Sequence, residues 1–339
     1  MTVSFCVIAY NEEKSLPSLL NDIKNQNYPH DKMEIILVNS MSNDKTKEMM
    51  QEFAREDNGF IRIKVIDNYK KTQAAGWNIA IKAAQEEVIV RIDAHTMIPK
   101  DFISKNIKCL EAGEYVSGGP RPNIAAGETV WQHTILIAEK SMFGSNVAPF
   151  RKGEKKAYVK SIFHGAYRRE VFDKAGLFDE RLGRTEDNEI HFRIRKAGYR
   201  LCYDPSIISY QQVRSTLRQL IKQKYGNGYW IGLTLKICPY CFSIYHFIPL
   251  CFVISILVTA LLAALDITKI PLFAVGMVYC AVDIIMSVLA IIKDKFHLYY
   301  LLLPIIFLIL HLSYGIGTLM GILSIPFWKE EHNGQNKKE

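Results

Sequence analysis

The sequence predicts an α/β domain with a mostly parallel sheet over residues 1–212, an amphipathic helix over 213–237 and a membrane-spanning region over 238–328. In the first part, short apolar runs alternate with amphipathic stretches, as in a chain that forms strands and helices in turn. The second part contains three apolar runs long enough to cross a bilayer. The charge is divided too. The six basic and six acidic residues from Cys238 onwards cancel, so the net charge of +8 lies in the first 237 residues.

The first part begins with the apolar run Val3–Tyr10, whose β-branched residues are typical of a buried strand. Helices and strands then alternate three more times. We predict helices over Leu16–Gln26, Asp44–Arg55 and Ala74–Glu86, and strands over Glu34–Asn39, Ile61–Ile66 and Glu87–Asp93. This βαβαβαβ order implies a parallel sheet with right-handed crossovers. Ligands of such sheets bind at the carboxyl ends of the strands.

Polar clusters follow all four predicted strands. They contain Asn11-Glu12-Glu13, the stretch from Asn39 to Asp44, Asp67-Asn68 and Asp93-Ala94-His95. Because parallel strands end at one edge of a sheet, we expect these clusters to converge on one rim. The glycine-rich patterns G-x-G-x-x-G and G-x-x-x-x-G-K-[ST] do not occur at these ends. A bound diphosphate would therefore be held by a metal or by basic side chains.

Asp93 and His95 are candidate metal ligands. Residues i and i+2 at the end of a strand point the same way, so a carboxylate and an imidazole can address one cation or one diphosphate. Hard oxygen ligands and phosphates favour Mg²⁺ or Mn²⁺. A second acidic cluster, Glu186, Asp187 and Glu189, precedes a helical stretch. Such acids can stabilise a helix N-terminus, or they can supply a base that activates an alcohol.

The apolar runs lie over about 243–265, 270–292 and 298–325, and a polar tail follows over 329–339. The first residues lack the basic and apolar regions of a signal peptide. Basic residues cluster between Arg193 and Lys224, just before the first run. By the positive-inside rule, we expect an integral protein of the cell membrane with a cytoplasmic first domain.

The stretch from Arg214 to Lys236 has apolar and aromatic residues at helical spacing, with Gly226 and Gly228 as expected interruptions. Its opposite face carries three basic residues, Arg218, Lys222 and Lys224. This pattern favours a helix that lies in an anionic headgroup layer over one packed on its own domain.

Five motifs occur together in a characteristic order. They are Val7–Glu13, Val38–Thr46, Lys71–Asn78, Val90–His95 and Thr185–Glu189. In this order they resemble glycosyltransferase family 2, whose members have the Rossmann-like GT-A fold. The Asp-Ala-His triplet and the three apolar runs are similar to the membrane-bound succinoglycan-biosynthesis subgroup. The resemblance covers about residues 3–235. It implies an inverting transfer from a nucleotide sugar, usually a UDP-sugar, to an acceptor hydroxyl.

The resemblance also implies roles for individual residues. Asp187 would be the general base, supported by Glu186 and Glu189. Asp93 and His95 would hold Mg²⁺ or Mn²⁺. The nucleotide would be bound by Ala9, Asn11, Glu12, Asn39, Asp67, Lys71 and Asp93. Asn39 stands where the family usually has Asp, and its amide can still accept a hydrogen bond from a base imide. The stretches 118–122 and 139–161 are expected to shape the donor and acceptor pockets.

Several functions remain open from the sequence. The leading hypothesis is a single-addition transferase that extends a lipid-linked oligosaccharide, because the basic helix would attract a polyprenyl diphosphate headgroup and the Gln-x-x-Arg-Trp motif of processive synthases is missing. One alternative is a polyprenyl-phosphate glycosyltransferase. Another is a non-catalytic membrane scaffold with a decayed nucleotide site. Nucleic acid is not an expected partner, since the basic residues lie beside the membrane and no nucleic-acid motif accompanies them.

Overall fold

The computed structural model describes residues 1–125, 127, 129–144, 155–212, 216–292 and 296–328. The strands are β1 Val3–Ala9, β2 Met33–Asn39, β3 Arg62–Asp67, β4 Val88–Asp93, β5 Thr96–Met97, β6 Val116–Gly118, β7 Asn123–Ile124, β8 Ala157–Val159, β9 Gly165–Arg168, β10 Leu201–Tyr203 and β11 Tyr210–Gln212. The α-helices are α1 Leu16–Lys24, α2 Thr46–Arg55, α3 Gln73–Ala83, α4 Phe102–Glu111, α5 Val130–Lys140, α6 Arg169–Ala175, α7 Glu186–Lys196, α8 Leu217–Thr234, α9 Ile248–Ala264, α10 Ile270–Ile291 and α11 Leu303–Ser324.

The central sheet has eight strands in the order β3-β2-β1-β4-β9-β6-β10-β8. Strand β1 pairs in parallel with β2 and β4, and β2 pairs in parallel with β3. Strand β9 is antiparallel to both β4 and β6. All residues of β1 and β2 are buried, because helices cover both faces of the sheet. The predicted, mostly parallel α/β fold is confirmed.

Side chains of the central strands alternate between two apolar layers. One layer, which includes Phe5 and Val90, packs against α1, α2 and α4. The other includes Ile89 and packs against α6, α7 and α3, which contributes Trp77. Arg91 follows Ile89 by two residues and therefore points into the second layer. This alternation directs the end of β4 toward the N-terminus of α7.

The seven elements predicted between residues 3 and 93 have the observed type, and their ends lie within three residues of those in the structure. The strands after β4 are two to four residues long, and the sequence does not predict them. Three of them form a second, smaller sheet in the order β5-β11-β7. This small sheet brings the chain near residue 211 back to the end of β4 through the pairing of Gln211 with Thr96.

The three predicted apolar helices are present as helical stretches that are long and apolar enough to cross a membrane: Ile244–Ala264, which contains α9, Ile270–Ile291, which is α10, and Leu298–Phe327, which contains α11. Most apolar side chains of α9 and α10 are exposed, which suits contact with lipid. The protein is therefore membrane-associated. Arg214, the loop 293–295 and the tail 329–339 lie outside the described residues.

Helix α8 differs from its prediction in two respects. It is continuous through Gly226 and Gly228, which do not interrupt it. A Cβ at Gly228 would collide with the carbonyl oxygen of Tyr314 in α11, so this glycine permits close helix packing. Lys224 is not on the outer basic face. It is buried, and its Nζ lies 2.8 Å from Oε1 of Glu139 in α5, because its side of α8 faces the first domain.

Candidate active site

Asn39, Asp67 and Lys47 form a network at the ends of β2 and β3. The Asn39 amide donates to Asp67 Oδ1 over 2.8 Å, and Lys47 Nζ donates to Asp67 Oδ2 over 2.6 Å. The amide oxygen of Asn39 accepts from the backbone N–H of Ser42 at 3.0 Å. Lys47 and then Asn39 hold the pKa of Asp67 below its usual range. An Asp at position 39 would place two carboxylates side by side, whereas the amide stabilises the ionised Asp67.

The loops after β1 and β2 are tied together by hydrogen bonds. Asn11 has a left-handed φ of 55°, and its N–H donates to Ser42 Oγ over 3.0 Å. The Asn11 side-chain oxygen accepts from the N–H of Asn43 at 2.8 Å. The N–H of Glu12 donates to Thr46 Oγ1 over 2.8 Å. These contacts confirm that the two loops meet at one rim.

Ala9 and Lys71 lie on the same rim. Ala9 ends β1, and its carbonyl accepts from the N–H of Ser40 at 2.8 Å. The side chain of Lys71 is exposed just before α3, whose first residue, Gln73, donates to Asp93 Oδ1 over 3.4 Å. Since a helix N-terminus attracts negative charge, Lys71 and the start of α3 together favour an anion beside Asp93.

Asp93 and His95 take part in two neighbouring hydrogen-bonded pairs. Asp93 Oδ2 lies 3.3 Å from Nε2 of His164, and His95 Nδ1 lies 3.0 Å from Oε1 of Glu12. The other ring nitrogen of His95 lies 3.3 Å from the amide nitrogen of Gln211. Burial would raise the pKa of Asp93, but His164 and His95 outweigh it and hold that pKa well below its usual range. Asp93 is therefore an ionised carboxylate.

A divalent cation would find few protein ligands at this rim. The described residues contain no group of three or more His, Cys, Asp or Glu side chains that could hold a metal ion. The two predicted ligands are an ionised carboxylate, Asp93, and an imidazole, His95. Mg²⁺ commonly binds one or two protein ligands and completes its shell with substrate phosphates and water. The donor set therefore fits a cation that is bound together with a diphosphate.

Arg91, in the interior of β4, pairs with Asp187 at the N-terminus of α7. Its Nη2 donates to Asp187 Oδ1 over 2.7 Å, and 2% of the Arg91 side chain is exposed, against 20% for Asp187. The guanidinium lies 4.5 Å from the ring centroids of both Trp77 and Phe178. Burial disfavours the charged form of Arg91, but Asp187 outweighs this effect and raises its pKa above the usual value. Asp187 thus faces a permanent cation.

The two predicted supporting acids have different surroundings. Glu186 is buried beside Asp187, and burial, followed by the charge of Asp187, raises its pKa to about 8. Glu189 forms a bidentate ion pair with Arg193, at 2.6 and 2.7 Å, so its charge is neutralised within α7. His191 is also buried, and burial lowers its pKa to about 3. At neutral pH, Glu186 is thus an un-ionised carboxyl next to the candidate base.

A cavity of about 710 Å³ extends from Asp187 to the membrane helices. Near Asp187 its wall includes Arg184, Thr185 and Asn188. At the other end the wall is formed by α9, α10 and α11, through Phe252, Tyr279, Met286, Leu310, His311 and Tyr314. The cavity thus joins the candidate base to side chains of lipid-facing helices.

Several residues of the site are missed by sequence reasoning. Arg91 carries a signal, because a charge inside an apolar strand requires a buried counter-ion. His164 carries none, since it reaches Asp93 through long-range pairing of short strands. Glu139 and Lys160 belong to the stretch expected to shape a pocket, and both line the cavity. Residues 145–154 of that stretch lie outside the described residues.

Comparison with known proteins shows the family of this chain. Residues 4–176 match the profile of glycosyl transferase family 2. A dolichyl N-acetyl-alpha-D-glucosaminyl phosphate 3-beta-D-2,3-diacetamido-2,3-dideoxy-beta-D-glucuronosyltransferase of Methanococcus voltae is 25% identical over 331 residues, which cover 95% of this chain and 97% of that protein. Succinoglycan biosynthesis protein ExoA of Rhizobium meliloti is 27% identical over 234 residues, which cover 67% of this chain and 68% of that protein.

Solved structures show the same fold. The mannosyltransferase PcManGT of Pyrobaculum calidifontis, in complex with GDP-Man and Mn²⁺, has a TM-score of 0.63 and 18% identity, and the match covers 94% of this chain and 86% of that one. S. aureus TarS 1–349, in complex with UDP-GlcNAc, has a TM-score of 0.50 and 16% identity, with coverages of 94% and 91%. At these identities the likeness shows the fold alone, which is of the GT-A type. The family profile covers half of the chain, and the protein accordingly belongs to glycosyl transferase family 2, with succinoglycan-biosynthesis proteins among its relatives.

Proposed function

We propose that this glycosyltransferase moves a sugar from a nucleotide sugar, a UDP-sugar, to a hydroxyl of a lipid-linked saccharide during synthesis of a cell-surface polysaccharide. The cavity carries this proposal, because it places Asp187 and the membrane-helix residues Phe252 and Tyr279 in one space. A saccharide headgroup on an isoprenoid tail matches a cavity that is polar at one end and apolar at the other. The name of the M. voltae relative supports this acceptor class, and that of the R. meliloti relative supports a role in polysaccharide synthesis.

The donor would lie along the rim of the sheet. Its base would contact Asn39 and Asp67, its nucleoside would lie against Ala9, Asn11 and Glu12, and its diphosphate would approach Lys71. Asp93 and His95 would hold Mg²⁺ or Mn²⁺, which supplies positive charge against the departing diphosphate. The ionised state of Asp93 supports this role, since a protonated carboxyl would bind a cation poorly.

Asp187 would act as the general base. Its carboxylate takes the proton of the acceptor hydroxyl while that oxygen forms a bond to the anomeric carbon of the donor. The bond from this carbon to the diphosphate oxygen breaks on the opposite face, and the nucleoside diphosphate leaves with the bonding electrons. The configuration at the anomeric carbon is inverted. General-base catalysis of this kind contributes about 10²–10⁴-fold to the rate.

We further propose that the catalytic domain faces the cytoplasm. Exposed basic residues of α8, Arg218 and Lys222, lie just before the first apolar helix, where cytoplasmic segments of membrane proteins are enriched in Lys and Arg. The domain and the donor would then share one compartment, and the acceptor would enter the cavity from the cytoplasmic leaflet.

Sugar transfer in isolated membranes tests this function. Membranes containing the protein would be incubated with labelled nucleotide sugars, and label in the lipid extract would be counted. We expect metal-dependent transfer that falls by about 10²-fold or more in Asp187→Asn. Asp101→Asn is the matched control, since Asp101 forms a half-exposed ion pair with Lys105 in α4. Undiminished transfer by Asp187→Asn would remove Asp187 as the base.

The structure of the labelled product separates the two kinds of lipid acceptor. A polyprenyl phosphate is already anionic and needs little base catalysis, so a polyprenyl-phosphate glycosyltransferase would retain much of its activity in Asp187→Asn. Its product would carry one sugar directly on the lipid phosphate. For the proposed function, mass spectrometry of the extract would instead show a lipid-linked saccharide that is longer by one residue.

A further inference from the structure

The three apolar helices are not equivalent in the structure. The exposed side chains of α9 and α10 point in many directions, and only a small share of each helix is buried. A much larger share of the third apolar stretch, which contains α11, is buried inside the protein. Within α11 itself, the exposed large apolar residues recur at helical spacing along one stripe, through Ile305, Ile316, Met320 and Leu323. A single apolar stripe is typical of a helix that contacts lipid on one side only.

The third apolar stretch contacts the catalytic domain directly near its beginning and middle, and through α8 at its end. Just before α11, the hydroxyl of Tyr300 lies 2.9 Å from Nδ1 of His133 in α5. Near the middle of α11, His311 Nε2 donates to the carbonyl of Phe143 over 2.6 Å.

At the end of the stretch, the Trp328 ring lies against Trp230 of α8, with centroids 6.3 Å apart. The Trp230 ring in turn covers Gly183 of the catalytic domain. The 22 residues of α11 span about 33 Å, which is the thickness of a bilayer core. A helix that crossed the bilayer would leave the amphipathic helix α8 at one end, whereas α11 packs along α8 over most of its length.

Helix α8 pairs with α11 side by side along this surface. Glycines allow the two backbones to approach closely, at Gly228 against Tyr314, at Gly317 against Tyr225 and at Gly321 against Tyr229. Moving from Tyr225 to Tyr229 along α8, the glycine in contact moves from Gly317 to Gly321 along α11, so the two helices run in the same direction. The amphipathic helix and the third apolar helix thus form one layer.

Two charged residues of α8 fix the depth of this layer. Arg218 and Lys222 are exposed and line a groove with Ile309, Leu312 and Ile316, which lie around the midpoint of α11. If α11 crossed the membrane, both cations would lie near the bilayer midplane, where charged side chains are rare and costly. If α11 lies in the interface, both cations reach the headgroup layer.

Helices α9 and α10 form an antiparallel hairpin, whose first helix, α9, also packs against α11. The ring of Phe252 in α9 stacks on Tyr279 in α10, with centroids 4.3 Å apart. Helix α11 meets this hairpin near the start of α9, where a Cβ at Gly315 would collide with Pro249. Beyond this crossing, the hairpin residues Leu257 and Phe273 are exposed and available to lipid.

We propose that α11 lies along the cytoplasmic membrane surface beside α8, and that only the α9–α10 hairpin crosses the bilayer. Trp328 then lies on the same side as the catalytic domain, because the chain crosses the bilayer twice before it. Composition alone allows three spans, and the packing of α11 argues for two. This inference does not depend on which sugar or acceptor the enzyme uses.

Depth-dependent fluorescence quenching tests this topology. In a background with the exposed Cys251 and Cys280 replaced by Ser, single cysteines at Ile305, Ile316 and Leu323 would carry a fluorophore. The protein would be reconstituted in phosphatidylcholine–phosphatidylglycerol vesicles containing lipids with nitroxides at shallow or deep positions. We expect all three sites to be quenched more strongly by the shallow nitroxide. A deep Ile316 between shallow Ile305 and Leu323 would overturn the proposal.

Positions on α9 provide the matched control. Labels at the exposed residues Leu257, Leu261 and Leu265 should change in depth along the helix, as expected for a span. Both series can be measured in Asp187→Asn, so the topology is tested even if the proposed reaction is wrong.

Proteolysis of tags in sealed vesicles gives a second readout. Tags at the two termini should share one side, and a tag inserted at Asp266 should lie on the other. Termini on opposite sides, or all three tags on one side, would contradict the proposed hairpin topology.

Discussion

Substitution of Arg91 by Met tests whether the ion pair with Asp187 serves catalysis. Met is unbranched and apolar, so it fits the space between the rings of Trp77 and Phe178. The substitution removes the 2.7 Å hydrogen bond to Asp187 Oδ1 and leaves the Asp187 carboxylate in place. Arg91 is not among the residues that line the cavity, so the loss should fall on kcat and leave KM nearly unchanged.

The magnitude follows from the geometry of the pair. A hydrogen bond to a charged group contributes about 1.5–3 kcal/mol. This bond is strongest while Asp187 is ionised and weakens as Asp187 takes the proton, so its loss acts by leaving the carboxylate free to rotate away from the acceptor hydroxyl, and we expect kcat to fall by about 10- to 100-fold. Stability should change little. Two buried nitrogens of the guanidinium, Nε and Nη1, have no hydrogen-bond partner within the described structure, so Met relieves an unfavourable burial. Asp187 remains partly exposed and can be hydrated.

Initial rates of sugar transfer, together with thermal unfolding in detergent, measure both effects. Arg91→Lys should recover part of the activity, because it restores the charge without the planar guanidinium. Arg193→Met is the matched control, since Arg193 binds Glu189 and two backbone carbonyls of the same region. It should lower the unfolding temperature and leave kcat per folded molecule unchanged. Wild-type kcat in Arg91→Met would refute the role assigned to the pair.

Two further predictions concern stability. Burial raises the pKa of Glu186 from 4.5 to about 8, so the folded protein keeps a proton that the unfolded chain releases. Stability should therefore fall as the pH rises from 4.5 to 8, and Glu186→Gln should raise the unfolding temperature at pH 8 relative to pH 5. An equal effect at both pH values would contradict the burial of an un-ionised carboxyl. Gly228→Ala should destabilise the α8–α11 layer by about 1–3 kcal/mol, because its Cβ meets the carbonyl of Tyr314. Gly276→Ala in α10, where a Cβ meets nothing within 4 Å, should not destabilise the protein. Thermal unfolding in detergent compares the two, and equal losses would argue against the close packing.

The parallel half of the sheet follows from the sequence, whereas the antiparallel half does not. Strands β1 to β4 are runs of β-branched and apolar residues joined by amphipathic helices, which is a local signal. Strand β9 pairs with β4 across more than 70 residues of chain. Its register depends on packing that a local pattern cannot specify. His164 precedes β9, so its contact with Asp93 is hidden from the sequence for the same reason.

In the candidate site, too, the features that follow from local sequence patterns can be predicted, whereas those that depend on long-range packing cannot. The order of strands and loops predicts that Asn39, Asp67 and Asp93 share a rim, and the structure places them there. Helical spacing predicts α8, but it does not tell which face of the helix meets protein and which meets lipid. Gly228 therefore suggests an interruption in the sequence and serves as a packing site in the structure. Lys224 likewise has a buried partner that only the fold reveals.

The central claim is that a lipid-linked acceptor occupies the cavity beside Asp187. Photo-crosslinking tests this most directly, with a polyprenyl diphosphate saccharide that carries a diazirine in the isoprene unit nearest the phosphate. Mass spectrometry should locate the crosslink on cavity residues of α9 or α10, such as Phe252, Tyr279 or Met286, and unlabelled acceptor should suppress it. Crosslinks confined to exposed residues such as Phe273, with no effect of the competitor, would contradict the claim.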